Sequence, residues 1–246
     1  MDTRLDEISD GIYRLSTYLP ELAPPFGLTV NQFLVLADDP LLFHTGLRST
    51  FAQVAAAIAR VLPLEDLRWV SFGHVEADEC GALNHLLAAA PNADPVFSSA
   101  GCAQSLDDLA DRRPRRLEPG EALDLGGRRL VVIATPHAPH NTEAQVLYEE
   151  TTGTLLCGDL FTQAGRGPAL TGGDIVGAAL DSEALLRSAP PGPAVPRALR
   201  RLAVLEPETL AVMHGSSYEG PAGAALRDLA DAWERRFDPA DTGPAI

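Results

Sequence analysis

The chain of 246 residues carries 34 acidic side chains against 19 basic ones, a formal net charge of -15, with 46% hydrophobic and 22% charged residues. That balance fits a globular protein with a sizeable core and sets it against nucleic acid and anionic membrane surfaces, so a small molecule is the expected partner. Three cysteines, Cys80, Cys102 and Cys157, are too few and too odd in number for a disulfide framework. The N-terminus is charged and acidic, and no apolar run approaches the roughly 20 residues that span a bilayer, so a soluble, cytoplasmic protein is expected.

Short β-rich apolar stretches alternate with helical patterns, which predicts an α/β class and a single domain over 1–246. The stretches at 28–36 and 41–43 read as early strands. Thr50 and Gln53 have the spacing of a capping box, ahead of Phe51, Val54, Ala55, Ile58 and Leu62 at helical spacing and a stop at Pro63. A strand near Arg68 to Phe72 leads into Gly73-His74-Val75-Glu76-Ala77-Asp78-Glu79, and a helix with Leu83, Leu86 and Leu87 ends before Pro91. A strand near Arg129 to Ile133 leads into Thr135-Pro136-His137-Ala138-Pro139-His140. A hairpin then turns around Thr151-Thr152-Gly153, and its second strand, Thr154 to Cys157, runs into Gly158-Asp159. Residues 163–181 are Gly-rich and poorly patterned, which predicts a long loop, and Ala189 to Pro196 reads as a Pro-rich connection. A strand at Thr209 to Met213 ends at His214-Gly215. The final helix, with Pro221 near its first turn, has Leu226, Leu229, Ala230, Trp233 and Phe237 as its apolar stripe.

Four strand ends are thus each followed within a few residues by side chains able to bind a metal: His74 with Glu76 and Asp78, then His140 or His137, then Asp159, then His214. Each has an ordinary reading when taken singly. The first segment can be a solvated turn whose carboxylates complement a helix N-terminus, Asp159 a turn residue, and His214 a hydrogen-bonded histidine. Their shared place at strand ends, where rigid elements aim loop side chains, points instead to one metal site.

This order resembles the metallo-β-lactamase superfamily, which carries H-x-H-x-D-H after one strand, then a later histidine, a bridging aspartate and a final histidine. Here the first motif is His74-Val75-Glu76-Ala77-Asp78-Glu79, and a glutamate at the second position is the pattern of the flavodiiron and related oxygen-binding diiron proteins. Leu42-Phe43-His44-Thr45-Gly46 resembles the family's early strand ending in D-T-G, with His44 in place of the aspartate. The resemblance implies a four-layer αββα sandwich. It assigns His74, Glu76 and His140 to one metal, Asp78 and His214 to a second, and Asp159 to the bridge. Counting back from the strand to Tyr148 places His140 where the resemblance puts the family's ligand histidine, while the family's T-P-G-H leaves His137 as the competitor. Glu79 stands where the family has histidine; it either ligates the second metal or faces outward and leaves its place to water.

Three imidazoles with three or four carboxylates make a hard, oxygen-rich site, which favours iron, then manganese, over zinc. The leading expectation is therefore a diiron protein that binds or reduces dioxygen or nitric oxide, or uses oxygen on a small substrate. Only a short tail follows the last helix, so electrons are expected from a separate donor protein; a homodimer is implied by resemblance alone. The alternative is a metal-dependent hydrolase of lactones, thioesters or phosphodiesters, in which Asp78 orients a metal-bridging hydroxide and Tyr218 supplies an oxyanion donor. A binding module that has lost its metals is a third reading. No G-x-S-x-G and no convincing pair of cysteine and histidine supports a serine or cysteine hydrolase.

Overall fold

A computed structural model describes residues 2–118 and 120–236. Two seven-stranded sheets lie face to face. The first runs in chain order: β1 (Thr3–Ser9), β2 (Ile12–Leu19), β3 (Leu28–Val35), β4 (Leu41–Phe43), β5 (Trp69–Ser71), β6 (Asp94–Ser98) and β7 (Arg115–Leu117). Neighbours are antiparallel through β4 and parallel from β4 to β7. The second holds β8 (Ala122–Asp124), β9 (Arg129–Ala134), β10 (Gln145–Glu149), β11 (Thr154–Leu156), β12 (Leu170–Thr171), β13 (Thr209–Ala211) and β14 (Ser217–Glu219), in the order β12-β14-β13-β11-β10-β9-β8.

Every residue of β3 is buried, because its two faces look into different cores. Phe33 and Val35 meet Phe43, Leu130, Val132, Leu147 and Leu156 between the sheets. Leu34, on the other face, joins Leu15, Leu42 and Val70 beneath Val54 and Ile58 of helix Phe51–Ile58 and Leu83, Leu86 and Leu87 of helix Leu83–Ala89. On the far side, Leu155, Leu210 and Val212 are covered by helices Ile175–Leu186, Ala194–Ala203 and Ala222–Arg236. The layers are therefore helix, sheet, sheet, helix, the expected four-layer αββα sandwich. No helix of the described residues is long and apolar enough to cross a membrane.

Several local readings need correction. The capping box does not form: Thr50 closes a 3-10 turn (Arg48–Thr50) and lacks the extended backbone of a capping residue. Its hydroxyl donates back to the Leu47 carbonyl at 2.9 Å, and Gln53 Oε1 has no partner. The predicted loop at 163–181 holds the short β12 and the start of a 12-residue helix, Ile175–Leu186. Asp174 caps that helix by accepting from Gly177 N at 2.8 Å. The Pro-rich connection gives way to helix Ala194–Ala203 before its predicted end. Leu226, Leu229, Ala230 and Trp233 of the final helix are buried as predicted, and Phe237 lies outside the described residues.

Candidate metal centre

The loops that leave β5, β9, β11 and β13 meet at one edge of the sandwich. After β5, the chain turns at Gly73 and enters the short helix Ala77–Cys80, with Glu76 in extended backbone at its N-cap. Asp78 and Glu79 fall in its first turn, where carboxylates complement the unpaired amide donors. The loop after β9 is pinned against this one: Asn141 Nδ2 donates to Val75 O at 3.4 Å, and Val75 N donates to Glu143 Oε1 at 3.2 Å. Gln145 N donates to Gly73 O at 2.8 Å and Gln145 Nε2 to Phe72 O at 3.2 Å, tying β10 to the end of β5.

Two clusters result. In the first, His74 Nε2 lies 2.9 Å from Glu76 Oε2 and 2.8 Å from His140 Nε2. Glu76 Oε2 is also 3.1 Å from His140 Nε2, while Asp159 Oδ2 is 3.7 Å from His74 Nε2 and 3.5 Å from His140 Nε2. One ligand atom from each of these four residues lies within 4.8 Å of all the others. In the second cluster, His214 Nε2 is 3.3 Å from both Asp78 Oδ2 and Asp159 Oδ1. Asp159 thus offers one oxygen to each. His137 is exposed and stands outside both, its amide donating to Asn141 O. Of the two competing histidines, His140 is the one in the cluster.

The ring nitrogens turned away from the clusters are mostly held. His214 Nδ1 is 2.7 Å from the Thr29 carbonyl, so it carries a proton, and Nε2 is the nitrogen turned to the cluster. His74 Nδ1 is 3.2 Å from Glu79 Oε1. Glu79 fits neither expected role. It is fully buried and points inward, accepting the His74 amide on Oε2 at 2.5 Å and facing His44 Nε2 across 3.5 Å from Oε1. His44, where the D-T-G pattern has an aspartate, and Glu79, where H-x-H-x-D-H ends in a histidine, are therefore spatial neighbours. Sequence reasoning missed this contact, although His44 in place of an aspartate was its available signal. Tyr218 belongs to neither cluster; it is buried in the core under the second sheet's helices with its hydroxyl beside Gly220.

Electrostatics bind the clusters together. Burial alone would push the His74 pKa down, but the charge of Glu79 and hydrogen bonds with Glu76 and Glu79 raise it to about 11. Hydrogen bonds from His140 and then His74 lower Glu76 to about 2, against its partial burial. Burial opposes ionisation of both Asp159 and His214, yet their mutual hydrogen bond and charges hold Asp159 well below the carboxylate range and His214 well above the usual imidazole value. His44 moves the other way, lowered by complete burial despite Glu79.

These distances suit shared cations. Ligands about 2.1 Å from one ion stand about 3.0–3.5 Å apart, and the imidazole nitrogens and carboxylate oxygens here stand 2.9–3.7 Å apart. Metal binding would replace the protons that the carboxylates now hold on the imidazoles.

A helix-sheet-sheet-helix sandwich with histidines and carboxylates gathered at its strand ends defines the metallo-β-lactamase fold. Residues 28–182, more than half of the chain, match the ODP family beta lactamase profile, and the chain belongs to that family. Among curated proteins, it is 24% identical over 141 residues to the anaerobic nitric oxide reductase flavorubredoxin of Salmonella arizonae, covering 56% of this chain and 29% of that protein. Among solved structures, it superposes on rubredoxin oxygen:oxidoreductase from Desulfovibrio gigas with a TM-score of 0.80 at 22% identity, over 93% of this chain and 62% of the other. The Flv1 flavodiiron core from Synechocystis sp. gives 0.81 at 24% identity, over 96% of this chain and 61% of that one. The chain thus spans less than two thirds of the length of each of these relatives. The likeness to flavodiiron proteins agrees with the glutamate at position 76.

Proposed function

We propose that the chain binds two iron ions and uses them to bind or reduce dioxygen or nitric oxide, or to apply oxygen to a small substrate. The observation that carries this reading is the Asp159 carboxylate, whose two oxygens are divided between the His74, Glu76 and His140 cluster and the Asp78 and His214 cluster. His74, Glu76, His140 and Asp159 would hold one ion, and Asp78, Asp159 and His214 the other. When bound, the irons supply the electron chemistry. The protein supplies geometry and charge. Glu76, Asp78 and Asp159 give the hard oxygen donors that favour iron over zinc. Glu79 and the Thr29 carbonyl keep His74 and His214 in the tautomer that presents Nε2. The Glu76 side chain is half exposed while those of His74 and His214 are buried, so a small reactant reaches the site past Glu76. Turnover requires electrons that these side chains do not carry, so a separate redox protein belongs to the proposal, in a cytoplasmic setting. The names of the flavorubredoxin and the oxygen:oxidoreductase support diatomic reactants.

The test is metal analysis of protein purified without added metal, then anaerobic reduction and optical spectra after exposure to dioxygen or nitric oxide. Two irons per chain and a gas-dependent band are expected. Two zincs with no redox response would overturn the reading in favour of a hydrolase. Separate alanine variants decide the histidines: H140A is expected to lose most of one metal, and H137A to keep both.

A further inference from the structure

The protein is strongly acidic, yet three arginines gather around one cavity of about 240 Å³. Arg4 comes from β1, Arg14, Ser16 and Tyr18 from β2, Thr29 from β3, and Arg166 from the segment that follows Asp159. Strand register explains the gathering: Arg4 pairs with Ser16 and Tyr18 with Thr29, while Arg14, Ser16 and Tyr18 alternate onto one face of β2.

Arg14 is the unusual member. It is 2% exposed, donates from Nη2 to the Gly215 carbonyl at 2.7 Å, and keeps a buried Nε with no partner. Burial lowers its pKa to about 10, with the charge of Asp6, opposite it in β1, acting the other way. Arg166 lies over the Tyr18 ring at 4.0 Å, which fixes its plane. Among the described residues, neither Arg4, Arg14 nor Arg166 is held in an ion pair. Against these three guanidiniums stand the carboxylates of Asp2 at the cavity wall and Asp6 in β1, which leaves a net excess of one positive charge. A buried guanidinium nitrogen without a hydrogen-bond acceptor is costly, and in native proteins such groups are paired or bind a ligand.

We infer that this cavity is a binding site for a phosphate-class oxyanion, either free phosphate or the phosphoryl end of a small organic molecule. A flat carboxylate is satisfied by one arginine fork. Three guanidiniums arriving from three chain segments, with the Ser16 and Thr29 hydroxyls beside them, suit a tetrahedral dianion whose oxygens point in several directions. The cavity exceeds a bare phosphate, which leaves room for an attached group against Tyr18. It also touches the metal centre through backbone: Arg14 holds the carbonyl of Gly215, and Thr29 accepts from Gly215 N at 2.7 Å on its hydroxyl and holds His214 on its carbonyl.

Titration calorimetry on the metal-loaded full chain tests this, with inorganic phosphate and glycerol 1-phosphate as probes and with chloride and acetate at matched ionic strength. Saturable binding of phosphate or its ester is expected, weakened about tenfold or more in each of R4A and R166A, the scale of one charged hydrogen bond. Both of those side chains are exposed, so the fold is preserved. A tighter constant for the ester would identify an organic phosphate, and equal or tighter binding of inorganic phosphate would identify the free ion. An equal response to chloride or acetate would overturn the inference. So would undiminished phosphate affinity in R4A and R166A, which is the result for phosphate bound at the metals. Metal content is measured separately and does not enter the outcome.

Discussion

Glu79 spans only a few ångströms, yet it organises the metal centre. Its Oε2 accepts from the His74 amide, and its Oε1 lies 3.2 Å from His74 Nδ1. In the variant Glu79→Ala, the His74 amide and His74 Nδ1 stay buried without an acceptor. The expected cost is about 1–3 kcal/mol or more in urea unfolding. A tenfold or greater loss of affinity for the metal at His74 is also expected, read by competition with a chelator. Glu149 gives a comparable test away from the site. Its buried carboxylate accepts from Thr151 N at 2.9 Å and from Thr152 N at 2.8 Å and Oγ1 at 2.6 Å, holding the hairpin turn. Burial favours the neutral acid, but these hydrogen bonds lower its pKa below the ordinary 4.5. A carboxylate with a depressed folded-state pKa stabilises the protein fully above its unfolded value and loses that contribution as pH falls. Acid unfolding of Glu149→Gln is therefore expected to flatten below about pH 4.5 relative to the parent chain. The spacing of His74, Glu76, Asp78, Asp159 and His214 was legible in sequence because each ligand lies close behind its own strand. The inward turn of Glu79 was not, because a four-residue helix has too little periodicity to reveal which side faces in.

Among the elements, those with clean apolar patterns were readable and those broken by charge or glycine were not. The β1–β2 hairpin carries Asp6 opposite Arg14, and Arg14 takes an inward position that a pattern reader reserves for an apolar residue. Helix Ile175–Leu186 was hidden behind Gly172-Gly173 and a run in which small alanines blur the apolar stripe. Its cap was nonetheless present in the sequence as Asp174. Asp174→Ala is expected to destabilise the protein by about 1 kcal/mol in chemical denaturation, whereas Thr50→Ala removes no capping bond at all. The second substitution costs only what the hydroxyl's bond to Leu47 contributes.

For the whole molecule, the four layers were expected from resemblance and are borne out by three stacked cores. The middle one lies between the two sheets. Leu147→Ala there is expected to cost about 2–5 kcal/mol. The three buried cysteines offer a probe of global opening: burial pushes the thiols of Cys80 and Cys102 up to about 12 and 11. In the native state they are expected to resist a disulfide reagent, with modification tracking the unfolding midpoint. Glu76 and Asp78 follow a strand of the first sheet, as does His74, while His140, Asp159 and His214 follow strands of the second. Any ion shared between them fastens the two halves of the sandwich to each other like a rivet. Its binding free energy then adds directly to the work of prising the halves apart, about 2.7 kcal/mol at a free metal concentration one hundred times the dissociation constant. A chelator would in that sense act on this protein as a denaturant, long before any heat or urea is applied.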